Sequence, residues 1–208
     1  MHYTDIAGEY AAFLRDTATA IRAIGDPRVK VLNGGLAAGG FIACQCDGTG
    51  YTAVISSRDF MDAMATAVPN VFTLLDGWAS HPYPARTSHN RGLNEAFDEA
   101  GPGLWVVRDE LAFLEARGIS LPVFFTETDW SIDHDGSRWS RDDIAGFTVR
   151  AYNEVWLVDP AIVGVMPFTT NGSSWMSFAW VDASDAPYPV YSAVWNLRCS
   201  LGLGPPCS

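Results

Sequence analysis

Lysine is almost missing from this chain. Of its 13 basic side chains only Lys30 is a lysine, and the others are arginine. Against 24 acidic side chains they leave a formal charge of −11. A surface so short of positive charge repels polyanions, which argues against nucleic acid or an anionic membrane as partner and favours a neutral substrate. Long hydrophobic runs are missing too, and none reaches the length that crosses a bilayer. The opening residues Met1-His2-Tyr3-Thr4-Asp5 hold no basic segment leading into an apolar one, so no signal peptide is read and the compartment stays open.

Cysteine is scarce. Cys44, Cys46, Cys199 and Cys207 lie in stretches rich in Gly or Pro. They form no repeated Cys-x-x-Cys spacing and no histidine clusters beside them, so a zinc site is not expected. A Cys199–Cys207 bridge across the Gly202–Pro206 turn is open to the chain in an oxidising compartment, and four free thiols are the other reading. Phosphate-binding glycine fingerprints are absent. The stretch Gly34-Gly35-Leu36-Ala37-Ala38-Gly39-Gly40 lacks the helix and lysine such a site needs, and it reads as a flexible loop. No cofactor and no metal are expected.

Aromatic residues are abundant. The 208 residues include eight Trp, seven Tyr and eleven Phe, and 48% of the chain is hydrophobic. That composition reads as one globular domain with a sizeable core. Tyr83, Trp130, Trp139, Trp175 and Trp180 fall in expected loops. Aromatics there are stacking platforms, or they are loops folded back over apolar surface.

Apolar residues recur at helical spacing from Ile6 to Ile24, and Gly25-Asp26-Pro27 stops the run. A strand is expected at Val29–Asn33, closed by Gly34-Gly35, then a glycine-rich loop to Gly50. Arg58–Ala67 reads as a helix capped by Ser56 or Ser57. Val71–Ser80 reads as a strand. Leu104–Arg117 reads as a helix ended by Gly118. The Val123 strand follows, then a helix over 141–158, a strand over Ile162–Phe168, a short strand over Ser177–Val181 and a last helix over Val190–Ser200. Helix and strand alternate four times, which means parallel strands with crossover helices. An eight-stranded barrel takes about 250 residues. The chain is therefore read as an open doubly wound sheet or as half of a barrel.

Two strands carry chemistry. Val123-Phe124-Phe125-Thr126-Glu127 runs from apolar residues straight into a carboxylate, a costly position unless the group is hydrogen-bonded or used. Leu74-Leu75-Asp76-Gly77-Trp78-Ala79-Ser80-His81-Pro82-Tyr83 delivers His81 and Tyr83 at its end. Polar groups at the C-terminal ends of adjacent parallel strands mark an active site on a β/α barrel face.

These segments together resemble the C-terminal half of a clan A glycoside hydrolase, the (β/α)8 retaining glycosidases that include families 5 and 39. The helix with Tyr10-Ala11-Ala12-Phe13-Leu14, then Asp26-Pro27-Arg28-Val29-Lys30-Val31-Leu32-Asn33-Gly34-Gly35-Leu36-Ala37, looks like the fourth helix and fifth strand, and Asp76–Tyr83 looks like the sixth strand with its His-x-Tyr ending. Phe125-Thr126-Glu127-Thr128-Asp129-Trp130 is similar to the seventh, and Val165-Met166-Pro167-Phe168 to the eighth. The resemblance implies an α/β fold of about four βα units, a half TIM barrel of strands 5–8 in a single catalytic-type domain over 1–208.

It also implies that Glu127 is a nucleophile, with Tyr83 and His81 beside it. Retaining hydrolysis needs two carboxyl groups about 5–5.5 Å apart, one attacking and one protonating the leaving oxygen. Tyr83 can donate its hydroxyl to Glu127, and Thr126 and Thr128 point away from it by strand alternation. Trp175 and Trp180 offer flat faces to a sugar, and Trp130 and Asn33 join them as substrate-binding candidates. Against this stands a structural Glu127 in a buried pair with an Arg, and a structural His81. His89 and His134 read as solvated.

In the clan the general acid is a Glu after Asn at the end of the fourth strand. Asn94-Glu95 and Asn153-Glu154 do not match that position. The expected function is therefore a truncated glycosidase. The alternative is a non-catalytic carbohydrate-binding protein derived from one. A small α/β hydrolase would need Gly-x-Ser-x-Gly, and Asn171-Gly172-Ser173-Ser174-Trp175 lacks the second Gly. Open strand edges lead to the expectation of self-association.

Overall fold

The computed structural model describes residues 6–37, 56–84, 96–97, 103–132, 139–172 and 174–203. It divides into two compact units, residues 1–82 with 106–126, and residues 83–105 with 127–208. His89, His134, Asn94-Glu95, Cys44, Cys46 and Cys207 lie outside the described residues.

The first unit opens with α1, Ile6–Ala23. Its buried stripe is Ala7, Ala11, Leu14 and Ala18, whereas Phe13 and Ile24 are 66% and 70% exposed. Of the larger apolar residues that mark the helix, Leu14 lies in this stripe, and alanines at helical spacing hold the rest of it and let α1 lie close against its neighbour. Gly25 ends the helix at φ +75, where a side chain is strained. α2, Ser57–Ala67, packs on α1, and the Ser56 side chain caps it by accepting from Asp59 N.

The strand expected at Val29–Asn33 is displaced. Only Leu32 forms a bridge there, to Gly77, and the paired strand β1 is Leu36–Ala37. Between the two, Asn33 replaces ladder bonds with its own amide. Its Oδ1 accepts from Ala79 N at 2.7 Å and its Nδ2 donates to Ala79 O at 2.8 Å. The chain thus gains one residue over its partner strand, as in a bulge. Gly35 lies on this path because the His81 ring occupies the space that a Cβ would take. Gly35→Ala is expected to cost about 1–3 kcal/mol in urea unfolding, the usual penalty of overpacking, here against a ring whose Nε2 is paired with Thr126 Oγ1.

The strand expected from Val71 begins later. Val71–Leu74 is a 3-10 turn entered through Asn70 in the left-handed region, φ 67. The turn buries Val71 and Phe72, and Phe72 packs edge-on against Trp78 and Phe113. β2 is Trp78–His81. α3, Val107–Glu115, is shorter than expected, and Gly118 closes its end with N–H donated to Glu115 O. β3 is Val123–Thr128.

β1 pairs parallel with β2, and β2 with β3, with Trp78 opposite Val123 and Ser80 opposite Phe125. β4, Ile162–Pro167, takes the fourth place beside β3, and Phe168 N donates to Thr128 O at 3.0 Å. Among the described residues the fold is therefore mixed α/β, a parallel three-strand core with five α-helices.

In the second unit, α4 is Arg141–Ala151, started by a reciprocal Ser140–Asp143 capping box. The expected helix to 158 changes pitch at Tyr152–Trp156, a π-helical turn. The wider turn lets successive residues Val155 and Trp156 both enter the core, 1% and 3% exposed. α5, Pro189–Ser200, packs on α4 and starts with proline, whose missing N–H costs nothing there. Cys199 is disulfide-bonded. Among the described residues no helix is long and apolar enough to cross a membrane.

Candidate functional site

Glu127 lies on β3, two residues past the buried Phe125. Tyr83 Oη donates to Glu127 Oε2 at 2.9 Å, the contact looked for in the sequence. Pro84 follows Tyr83 and confines its backbone to extended forms. The Tyr83 ring meets the buried Phe178 edge-on, centroids 6.1 Å apart. Phe178 packs edge-on against Phe168 at 5.8 Å and Trp175 at 6.3 Å. One aromatic wall thus runs from Tyr83 to Trp175, which is 51% exposed. A half-exposed indole backed by other rings is a surface on which the apolar face of a sugar can lie.

The segment bearing Trp175 and Trp180 was expected to hold a strand at Ser177–Val181. Its one pairing there is a bridge between Val181 and Pro187. The carbonyls that a ladder would use go to Arg141 instead. Its Nη2 donates to Met176 O at 2.6 Å, and its Nη1 donates to Ala179 O at 2.8 Å and Ser177 O at 3.3 Å. The guanidinium also lies 4.0 Å from the centre of the Tyr188 ring. A cation in the first turn of α4 opposes the helix dipole, so these contacts must offset that cost. Trp180 is fixed at both ends: its N–H donates to Thr169 O, and its indole Nε1 to Asp129 Oδ2 at 2.5 Å.

Other sequence candidates have different surroundings. Trp130 is a core residue, 6% exposed, packed against Phe97, Phe147 and Trp156, and leaves no open face for stacking. Asn33 is buried in the first unit with its amide spent on Ala79 and Gly34, which makes it a strand-pairing residue rather than a free sugar ligand. His81, in that same unit, sets its Nε2 2.9 Å from Thr126 Oγ1, over Gly35. Asp129 and Arg141 were not read as parts of a site. The available signals were an Asp set directly before Trp, and an Arg opening a helix. Among the described residues no cluster of three His, Cys, Asp or Glu side chains is placed to hold a metal.

No family model and no curated protein matches this sequence. Solved structures do match. A GH128 (subgroup II) endo-β-1,3-glucanase from Sorangium cellulosum superposes with TM-score 0.56 at 15% identity, over 90% of this chain and 61% of that one. A family 39 glycoside hydrolase from the gut symbiont Bacteroides cellulosilyticus WH2 gives TM-score 0.55 at 19% identity, over 89% of this chain and 36% of that one. The chain shares its fold with part of each of these two glycoside hydrolases. The chain spans less than two thirds of either relative's length.

Proposed function

We propose that this chain carries the nucleophile side of a retaining glycosidase site, with Glu127 attacking the anomeric carbon and Tyr83 holding its carboxylate. The Tyr83–Glu127 hydrogen bond at the end of β3 carries this reading. In the proposed step Glu127 forms a bond to the anomeric carbon as the glycosidic C–O bond breaks and its electrons leave with the departing oxygen. Water then hydrolyses the glycosyl ester, returning the carboxylate and releasing sugar of the original configuration. The Tyr83 hydroxyl holds in place the carboxylate that attacks. The wall ending at Trp175 supplies the stacking face.

No residue of this chain is assigned as general acid, so ordinary glycosides are expected to turn over poorly. An aryl glycoside with a good leaving group needs little protonation and is the proper test substrate. Proton NMR of the first product is expected to show the retained anomer. The inverted anomer would overturn the assignment. Tyr83→Phe is expected to slow this turnover roughly tenfold to a hundredfold, the value of one hydrogen bond to a charged group at about 1.5–3 kcal/mol. A second reading, sugar binding without chemistry, draws on the same exposed Trp175 and predicts binding with no product.

A further inference from the structure

Asp129 follows Glu127 by two residues and is 3% exposed. Its Oδ1 accepts from Trp130 N at 2.7 Å and its Oδ2 from the Trp180 indole at 2.5 Å. Burying a carboxyl is expensive, and an uncharged acceptor would satisfy the same N–H groups at less cost. What the carboxyl holds is a half-buried indole in the segment that Arg141 binds through three carbonyls. From the other side of that segment Trp175 joins the wall that reaches Tyr83.

We propose that Asp129 is a positioning residue of the sugar site: it fixes the indole plane of Trp180 and, with Arg141, sets the aromatic segment beside Tyr83 and Glu127 before a ligand arrives. This rests on the glycosidase reading of that site. Ordering the segment in advance removes an entropy cost from binding, so the effect of Asp129 falls on substrate capture more than on bond cleavage.

The groups facing Asp129 are the indole of Trp180, the backbone N–H of Trp130, Arg141 of α4 and Tyr152 of the π-helical turn, and Glu127 precedes it on its own segment. Burial pushes the Asp129 carboxyl up to about 8, against the pull of the two N–H donors and Arg141. Burial, then the charge of Asp129, pushes Tyr152 up to about 12. The indole proton of Trp180 therefore senses a change of charge just above neutrality.

The test is the indole region of the nitrogen–proton spectrum of the full chain, with Trp180 assigned by Trp180→Phe. The Trp180 signal is expected to shift with pH around a midpoint of about 8 in the parent protein, and to stay constant in Asp129→Asn. In Asp129→Ala, which takes the acceptor away from the Trp180 indole, KM for the aryl glycoside is expected to rise roughly tenfold, with kcat held within about threefold. A merely structural role leaves the split between KM and kcat unmoved. A Trp180 signal that ignores pH in the parent protein, or an unchanged KM in Asp129→Ala, overturns the proposal. The parent titration needs no variant fold. It needs no turnover either, so if the protein cleaves no glycoside the catalytic reading falls while the hold on Trp180 is still decided.

Discussion

Replacing Glu127 by Gln is expected to lower turnover of an activated aryl glycoside by about three orders of magnitude or more, with the fold intact. Glutamine has the shape of glutamate, and its carbonyl oxygen can still accept from Tyr83, which donates to Oε2 in the parent protein. What is lost is the charge and the attacking oxygen pair. Calorimetry should therefore find sugar affinity kept and the melting temperature nearly unchanged. A structural carboxylate would give the opposite pattern, with lower stability and little effect on chemistry. The variant separates the two roles because each predicts a change in a different measurement.

The second large effect concerns stability and pH, and it originates in the first unit. Glu110 of α3 is fully buried and accepts from the Trp78 indole at 2.8 Å through Oε2. The Ser80 and Ser57 hydroxyls lean toward the carboxyl, yet Oε1 and Ser80 Oγ make no well-formed hydrogen bond. Burial pushes the group up to about 7 from an ordinary 4.5. The folded state then holds its proton more tightly than the unfolded state. Stability from Glu110 is full below about pH 4.5 and is lost as the pH rises through about 7.

Asp129 acts in the same direction, lost as the pH climbs from about 4 through about 8. Asp76, Asp143 and Asp182, held low by hydrogen bonds from backbone and side-chain donors, act oppositely, and their contribution fades only in more acid solution. The melting temperature should peak in mildly acid buffer and fall toward about pH 8. Glu110→Gln keeps an acceptor for Trp78 and has no charge to bury. At about pH 8 it should be more stable than the parent by on the order of 3 kcal/mol, which is roughly 5–10 °C in melting temperature for a chain of this size. Near pH 4.5 the two should melt together. Parallel melting profiles across the whole range would show that Glu110 carries no such penalty.

Local chemistry was the legible part of this sequence. Ser56 before α2, Gly118 after α3 and the apolar approach to Glu127 each identify their element by a short-range rule, and the structure has them there. The order of strands followed from alternation alone. Two of the misreadings share one cause, which is a long-range partner replacing a local preference. Val29–Asn33 reads as a strand, but the Asn33 amide takes the ladder bonds of Ala79 and moves the pairing on to Leu36. Ser177–Val181 is apolar and aromatic enough for a strand, but the carbonyls of Met176, Ser177 and Ala179 belong to Arg141, 35–38 residues earlier. Tyr83 was found because its partner could be named from chemistry. Asp129 was not singled out, because nothing in Thr128-Asp129-Trp130 shows that Trp180 reaches back to it.

Inactivation with a dinitrophenyl fluoro-glycoside tests the central claim most directly. The fluorine slows both steps, and the good leaving group keeps the first fast enough to trap the glycosyl-enzyme. Intact-mass spectrometry is expected to show one sugar added per chain, and peptide mapping to place it as an ester on Glu127 within Val123–Trp130. A label on any other carboxylate, or a chain that stays unlabelled under saturating reagent, would contradict Glu127 as the nucleophile.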